Sequence, residues 1–444
     1  MEILIKILQF TLSLSILVII HECGHFFFAK LFKTRVEKFY LFFNPWFSLF
    51  KIKKGETEYG IGWLPLGGYV KISGMIDESM DLEQMKQPPQ PYEFRSKTKW
   101  QRLLIMLGGV LVNFIFALII YVAILYTWGE SYLPTKNAKY GIAVDSLASK
   151  AGLRSGDIVL SVDNKEVENF QQIIYTIIIN ESKTIQVLRD SQKVNVTLPE
   201  TIVHSLIRDK DFFTVRFPFV IDKFTGESVA PSAGFKKGDK MVAINGSEAK
   251  YYDQFRTILS KNKGQEIKVT VERDKKYIDI AVKVPSSGLL GIYPAGDLTK
   301  YFELKYIKYG FIESIPAGIS RGFNKLSDYI RQFKVVFSSK AKGYESLGGF
   351  IAIGSIFSGE WDWASFWNIT ALLSIVLAFM NIMPIPALDG GHVLFLLYEI
   401  ITGRKPSDKF LEYAQLVGLI IIVTIILYAN LNDVYKFIIK KFFP

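Results

Sequence analysis

Four long apolar segments stand out along this chain, at residues 5–28, 103–127, 366–383 and 411–428. A helix needs about 20 predominantly apolar residues to cross the hydrocarbon core of a bilayer. Each segment therefore predicts a membrane span. The first has no short apolar core that ends at a small-residue cleavage site, so we expect a retained span and not a signal peptide.

The long middle region alternates apolar and polar residues over short stretches and contains an internal repeat. Residues 151–163 read AGLRSGDIVLSVD, and residues 233–245 read AGFKKGDKMVAIN. In each copy a Gly-Asp turn leads into an apolar strand, and later runs such as 267–271 and 278–284 are typical of closing strands. Two copies predict two tandem α+β modules.

A linker and amphipathic helices are predicted after the repeat. Residues 286–296 contain Gly and Pro, and residues 304–337 carry an apolar stripe with scattered Lys and Arg. This stripe predicts one or two helices. Such helices lie on the membrane surface or pack on the neighbouring modules, and the sequence leaves both arrangements open.

Composition fits a membrane protein with sizeable soluble parts, because 50% of the 444 residues are hydrophobic and 21% are charged. Lys and Arg cluster at residues 30–54 and 97–102, which marks the loop between the first two spans as cytoplasmic and the modules as extracytoplasmic. The net charge of +11 predicts contact with membrane lipid and no contact with nucleic acid, since no base-reading helix is recognisable. A single cysteine excludes an intramolecular disulfide.

The first span contains the sequence HECGH at residues 21–25. A helix turns about 100° per residue, so His21 and His25 share a face and can both offer imidazole nitrogens to one zinc ion. Glu22, beside the first ligand, can take a proton from a water that the metal activates. Ionisable groups in hydrocarbon are costly and usually functional. The span therefore predicts a hydrolytic Zn²⁺ site within the membrane.

A third zinc ligand has to come from elsewhere, because catalytic zinc usually has three protein ligands and one open position. The best stretch is residues 381–392, NIMPIPALDGGH, where two prolines end an apolar helix and leave irregular backbone at membrane depth. Asp389 lies at this break, and an unpaired carboxylate there would need a neighbouring cation. His392 is a competing ligand, and spacing alone leaves both open.

Together these residues resemble the site-2 proteases, which are intramembrane zinc metalloproteases, and among them the bacterial regulator of sigma-E protease type with two PDZ domains. The family motifs H-E-x-x-H, Gly-x-x-x-Asn and N-x-x-P-x-P-x-L-D-G correspond to residues 21–25, 109–113 and 381–390, in order and each in a predicted span. The resemblance covers essentially the whole chain. It implies that Asp389 is the third ligand and that His392 supports the site or is structural. It also implies a substrate groove bordered by Asn381, Pro384, Pro386 and Asn113, with helix packing as the alternative role of Asn113.

Two further stretches resemble elements of this family. Residues 59–71, YGIGWLPLGGYVK, look like its membrane re-entrant β-loop, whose open edge would hold an extended substrate at Gly67, Gly68 and Tyr69. The repeat looks like tandem PDZ domains, which bind extended peptides or chain ends by strand addition. One departure is Gly349-Phe350, where members of the family often carry Gly-Pro.

The predicted fold is a multi-pass α-helical membrane protein of about four spans, with a membrane re-entrant β-loop and two extracytoplasmic PDZ-like α+β domains. The predicted domains are 1–128 (two spans, the HExxH site and the β-loop), 129–203 and 204–285 (the PDZ-like modules), 286–364 (linker and amphipathic helices) and 365–444 (two further spans).

The predicted function is that of a zinc-dependent intramembrane endopeptidase of the bacterial cytoplasmic (inner) membrane, with its active site toward the cytoplasmic side. The expected substrates are single-pass transmembrane proteins, such as an anti-sigma factor or remnant signal peptides, cut in regulated intramembrane proteolysis. A membrane scaffold with a vestigial metal site and a metal transporter are the competing hypotheses. An intact set of ligands argues against the scaffold, and a glutamate in the base position beside two peptide-binding modules argues against the transporter.

Overall fold

The structure, a computed structural model, describes residues 1–75, 87–209, 212–336 and 343–439. Four segments of the predicted domains lie outside the described residues, namely 76–86, 210–211, 337–342 and 440–444. The chain divides into two compact units. We call one of them the helical unit: Met1–Gly129, Lys308–Lys334 and Leu347–Pro444. We call the other the module unit: Glu130–Ile307 and Val335–Ser346.

The elements follow one another in three groups. The first comprises α1 (Glu2–Leu31), β1 (Val36–Lys54), β2 (Thr57–Ile72) and α2 (Lys99–Thr127). The second comprises β3 (Glu130–Tyr132), β4 (Ile142–Val144), α3 (Ser146–Lys150), β5 (Ile158–Val162), α4 (Ile173–Asn180), β6 (Thr184–Arg189), β7 (Gln192–Thr197), α5 (Ile202–Asp209), β8 (Phe213–Val215), β9 (Ile221–Phe224), α6 (Ala230–Ala233), β10 (Lys240–Ile244), β11 (Ser247–Glu248), α7 (Tyr252–Lys261), β12 (Glu266–Arg273), β13 (Lys276–Lys283), β14 (Ile292–Pro294) and β15 (Lys305–Ile307). The third comprises α8 (Phe311–Val336), α9 (Phe350–Ser355), α10 (Trp363–Ile382), α11 (Asp389–Thr402) and α12 (Asp408–Val434).

Among the described residues, four helices are long and apolar enough to cross a membrane: α1, α2, α10 and the helix of Lys409–Phe437, which includes most of α12. They coincide with the four predicted spans, so that prediction is confirmed and the chain is a membrane protein. Helix α2 begins at a capping box, in which the Thr98 side chain accepts from the Gln101 backbone. Helix α10 ends at Ile382, just before the two prolines, because proline does not fit a helix interior.

Helices α1 and α2 approach each other closely at a contact between glycines. A Cβ added to Gly108 would lie 2.6 Å from the carbonyl oxygen of Gly24, and one added to Gly24 would lie 2.8 Å from the nitrogen of Gly109. Neither position has room for a side chain. Small residues allow helices to pack this closely in membranes. The contact brings the HECGH turn of α1 against the middle of α2.

Strands β1 and β2 form a long hairpin between the first two spans. The first part of β1 pairs with β2 on both of its edges, so that Tyr40 faces Gly60 on one side and Tyr69 on the other. Positive φ angles at Phe42 (66°) and Trp46 (72°) accompany the reversal of β1. The last part of β2 therefore lies at the outside of this sheet, where its second edge pairs with no other strand of the described part of the chain.

Helix α8 packs lengthwise on α2, an arrangement that the amphipathic pattern did not predict. A Cβ added to Gly318 would lie 2.6 Å from Val122 Cα, and the rings of Phe323 and Phe114 are 5.2 Å apart. Small residues one helical turn apart in α8 make this close contact sterically feasible. The part of α8 up to Lys334 thus belongs to the helical unit, where we had expected a helix on the membrane surface or on the modules.

The module unit contains two hydrophobic cores, one for each copy of the repeat. The first surrounds the sheet β5-β6-β7 and the second surrounds the sheet β11-β10-β12-β13. The aspartate of each Gly-Asp turn is buried and forms a two-pronged ion pair, with Arg189 Nη2 and Arg273 Nη2 each 2.7 Å from Oδ2 of Asp157 and Asp239 respectively. The repeat seen in the sequence is therefore a structural repeat.

The cores extend past the predicted module boundaries. Helix α5 and Phe213 pack into the first core, beyond residue 203. Ile292 packs into the second core, beyond residue 285, because β14 pairs with β9. Short apolar runs near a boundary carry no signal for the core in which they pack, and the predicted boundaries therefore do not take these contacts into account.

Candidate metal centre

Three side chains from two helices meet at the contact between α1 and α11. His21 Nε2 lies 3.2 Å from Asp389 Oδ2, His25 Nε2 lies 3.3 Å from the same oxygen, and the two Nε2 atoms are 3.2 Å apart. Within the described residues, this is the one group of three His, Cys, Asp or Glu side chains whose spacing suits a metal ion. The structure therefore joins residues from opposite ends of the chain.

A triangle of this size fits one tetrahedral metal ion. Zinc–nitrogen bonds of about 2.0–2.1 Å and tetrahedral angles would separate neighbouring ligand atoms by about 3.3–3.4 Å. Hydrogen bonding accounts less well for the triangle, because Asp389 Oδ2 is buried and accepts no hydrogen bond of normal geometry from the described residues. A buried carboxylate oxygen of this kind is costly without a cation. The donor set of two imidazoles and one carboxylate is one that zinc prefers.

Each imidazole ring has a polar neighbour at Nδ1 that bears on its protonation. His25 Nδ1 lies 2.9 Å from the carbonyl oxygen of Ile105, which requires a proton on Nδ1 and leaves Nε2 as an acceptor. His21 Nδ1 lies 3.2 Å from Nδ2 of the Asn113 side chain, whose Oδ1 has no hydrogen-bond partner among the described residues. A flip of this amide would turn Oδ1 toward the ring, where it would accept the Nδ1 proton and leave Nε2 of His21 as an acceptor. Ser374 Oγ donates to the backbone oxygen of Asn113 at 2.8 Å.

Glu22 faces a cleft of about 540 Å³ that also contains the three candidate ligands. The backbone of Val70 on β2 interacts with its carboxylate. A Cβ added to Gly68 would lie 3.6 Å from Glu22 Cγ. The unpaired edge of β2 therefore runs directly beside this carboxylate. Apolar side chains form much of the remaining wall: Leu14, Val18, Phe43, Met106 and Leu377.

The residues predicted to bind substrate divide into two sets. One set lines the cleft: Gly67, Gly68, Tyr69 and Asn381. Within this set, Asn381 Nδ2 lies 3.4 Å from His21 Nε2. The other set stands outside the described lining: Asn113, Pro384 and Pro386. Asn113 lies behind His21, and the two prolines shape the backbone that leads to Asp389.

The segment 383–388 directs Asp389 into the cleft. Ala387 adopts φ +76°, a left-handed conformation that costs a non-glycine residue about 1–2 kcal/mol. Such strain persists only where the surroundings hold it. Gly418 of α12 packs on Pro386 so closely that the backbone carbonyl leaves no space for a Cβ. His392 lines the same cleft but does not belong to the group of three ligands.

Two groups at the site were missed by sequence reasoning because they belong to the backbone. The Ile105 carbonyl that orients His25 and the Val70 backbone beside Glu22 carry no side-chain signal. A third omission is the length of β1, a strand of 19 residues whose aromatic and basic composition shows no clear alternation. The close pair of Gly24 and Gly108 did have a signal, since small residues inside apolar helices indicate helix contacts.

Comparison with known proteins gives a consistent family assignment. The family model of Peptidase family M50 matches residues 9–425. The chain is 28% identical to Protease RseP of Yersinia pestis, 27% identical to Regulator of sigma E protease of Haemophilus influenzae and 26% identical to Metalloprotease MmpA of Caulobacter vibrioides. These alignments cover 98%, 96% and 99% of this chain and 99%, 97% and 98% of the relatives. The chain belongs to peptidase family M50, the site-2 protease family, and is a metalloprotease.

Proposed function

We propose that this protein is a zinc-dependent intramembrane endopeptidase that cleaves single-pass transmembrane substrates. The observation that carries the proposal is that the candidate metal ligands and Glu22 share one cleft among helices apolar enough to span a membrane. His21, His25 and Asp389 would hold the zinc ion, with a fourth position left for water or substrate. Membership of peptidase family M50 supports the reaction class.

The surrounding residues have complementary roles in this proposal. When bound, zinc supplies Lewis acidity, which polarises a peptide carbonyl and acidifies a water molecule. Glu22 takes the proton from that water and delivers it to the leaving nitrogen. We propose that the side-chain amide of Asn381, whose Nδ2 lies 3.4 Å from His21 Nε2, donates a hydrogen bond to the substrate carbonyl as negative charge develops there. The apolar walls keep bulk water away, which strengthens these interactions.

We propose that the substrate binds as an extended strand on the unpaired edge of β2. Peptide groups along this edge can pair with an incoming strand, and Gly67 and Gly68 of this strand line the cleft. The hairpin would then be the membrane re-entrant β-loop of the family. Its exposed apolar tip supports contact with lipid, since Trp46 is 90% and Leu49 is 66% exposed.

The name of the Haemophilus influenzae relative guides the choice of substrate. It is called Regulator of sigma E protease, and we therefore propose an anti-sigma factor as the substrate, with remnant signal peptides as a second class. The basic loop between the first two spans supports an active site near the cytoplasmic face of the bacterial inner membrane. The module unit would then lie outside the cytoplasm.

The two modules are proposed to act as PDZ-like domains that select substrates outside the membrane. In the second module, strand β14 pairs with β9 on one edge and is unpaired on the other within the described residues. Such an edge can take up an extended peptide or a chain end. We propose that the modules exclude bulky ectodomains or hold the end of a trimmed substrate.

Removing the modules is expected to relax substrate selection without abolishing cleavage. Glu130 and Ile307 are paired neighbours in the β3–β15 ladder, so a short Gly-Ser linker can join residue 129 to residue 308. The shortened enzyme should cut both a pre-trimmed substrate and one with a large extracytoplasmic domain, whereas the intact enzyme should cut only the former. Loss of both activities would show that the modules are needed for folding or catalysis. If the shortened enzyme still cuts only the pre-trimmed substrate, the modules are not the part of the protein that selects substrates.

Cleavage is expected to depend on how easily the substrate helix unwinds. Intrinsic propensity places Gly about 1 and Pro about 3 kcal/mol below Ala in a helix. At about 1.4 kcal/mol per tenfold change, replacing such residues near the cut site by Leu should slow cleavage by roughly 5-fold to more than 100-fold. Initial rates for matched substrate pairs test this expectation. Equal rates would show that local helix opening does not limit the reaction.

The proposed function is tested in cells by mass spectrometry of small membrane peptides. Cells that carry the Glu22→Gln variant should accumulate uncleaved single-pass peptides that disappear when the wild-type protein is restored. An identical set of peptides in both strains would contradict an endopeptidase function.

A further inference from the structure

A buried ion pair connects α2 to α11 away from the metal centre. Arg102 Nη2 donates to Glu399 Oε1 at 2.7 Å, and both residues are only 8% exposed. Lys99 Nζ donates to the backbone oxygen of Glu399 at 2.8 Å. The chemistry proposed above does not use these charges. Desolvation offsets most of the attraction in a buried pair, and fixing the register of packed elements is its best-attested role.

Both helices of this ion pair also carry parts of the metal centre. On α2, the Ile105 carbonyl holds His25 and Asn113 lies against His21. The rise from Arg102 to Asn113 along α2 is about 16 Å at 1.5 Å per residue. The rise from Asp389, the first residue of α11, to Glu399 is about 15 Å. The helices therefore run antiparallel, with the ion pair in the first turn of α2 and the metal centre about one to three turns further along it.

The metal centre is sensitive to the register of these helices. The two helices share one hydrophobic cluster, to which α11 contributes Val393 and Leu396 and α2 contributes Leu103 and Met106. Apolar attraction is non-directional, so a directional buried ion pair fixes the register of two packed helices more closely than these contacts do. A slide of α11 by one residue would move Asp389 by about 1.5 Å, whereas metal–ligand distances are defined to about 0.2 Å.

We propose that Arg102 and Glu399 are positioning residues that hold Asp389 level with His21 and His25. Neither residue belongs to the group of candidate ligands or to the lining of the cleft around it. They act through the rigid helix α11, and Lys99 reinforces the pair at the helix end. This inference rests on the proposed zinc site, and it identifies the two residues that position the third ligand of that site.

The decisive variant is Arg102→Met/Glu399→Leu, which removes the pair without leaving an unpaired buried charge. Zinc affinity is measured on the full-length protein in detergent by competition with a chromophoric chelator. The affinity should fall about 10-fold to 100-fold, the usual range for groups that orient metal ligands. The charge-swapped variant Arg102→Glu/Glu399→Arg restores an ion pair and should recover most of the affinity.

A matched control separates positioning from general loss of stability. Leu125→Ala removes a buried side chain from α2 on the far side of the metal centre, so it should lower the unfolding temperature and leave zinc affinity unchanged. Wild-type zinc affinity in the neutral double variant would overturn the proposal, as would an equal loss of affinity in the Leu125→Ala control. If the wild-type protein binds no zinc, the proposed function itself fails. If the wild-type protein binds zinc tightly and the neutral double variant binds it with the same affinity, the proposed function stands and the positioning role alone fails.

Discussion

Replacing Glu22 by Gln is expected to preserve the fold and the zinc content and to abolish measurable cleavage. Gln keeps the shape of the side chain and its place beside Val70, but it cannot accept a proton. General acid–base catalysis contributes about 10²-fold to 10⁴-fold to enzyme rates, so the loss should be at least of that size. Turnover of a transmembrane substrate in detergent, together with metal analysis of the same preparation, measures both quantities.

Two further variants sharpen this result. Glu22→Asp keeps a carboxylate but withdraws it by one methylene, so cleavage should be reduced but detectable. Glu56→Gln makes the same chemical change at an exposed position of the β1–β2 turn and should leave the rate unchanged. Turnover near the wild-type rate in Glu22→Gln would remove Glu22 from the role of general base.

Replacing Asp389 by Ala is expected to release the metal, whereas replacing His392 by Ala should retain it. Asp389 Oδ2 lies within 3.3 Å of both imidazole nitrogens, while His392 lines the cleft outside the group of three ligands. Loss of one of three protein ligands should lower zinc occupancy of the purified protein far below one ion per chain. Elemental analysis of both variants, purified in parallel, provides the comparison.

The reverse pattern, with zinc retained by Asp389→Ala and lost by His392→Ala, would make His392 the third ligand. Asp389→Asn adds a finer test, because the amide keeps the size of the side chain and removes the charge that a divalent cation attracts. Its zinc occupancy should fall between those of the wild type and Asp389→Ala.

Local pattern was enough to predict the spans and to bring two of the three candidate ligands onto one helix face. Apolar length alone identifies a span, and the four-residue spacing of His21 and His25 places them on one helix face whatever the rest of the fold does. The third ligand could not be fixed in this way. Asp389 and His392 lie within one turn of α11. Which of the two reaches the histidines depends on the conformation of Ala387 and on the contact between Gly418 and Pro386, and these are tertiary features.

The elements that sequence reasoning placed incompletely share a physical cause. Strand β1 pairs on both edges with β2, and this register depends on the positive φ angles at Phe42 and Trp46, which bulky residues rarely adopt. Helix α8 has charged residues along its length, but its glycines allow it to pack closely against α2. In both cases backbone conformation and close helix contact outweigh the local pattern of hydrophobic residues.

The position of the cut tests most directly whether zinc held by this chain drives hydrolysis inside a transmembrane segment. Purified protein and a single-pass substrate are combined in liposomes, and intact-mass spectrometry identifies both products before chelation, after chelation and after zinc is restored. We predict product masses that place the cut within the apolar segment, that vanish on chelation and that return with zinc. A cut outside that segment, or one that persists in the presence of chelator and in the Glu22→Gln variant, would contradict the account.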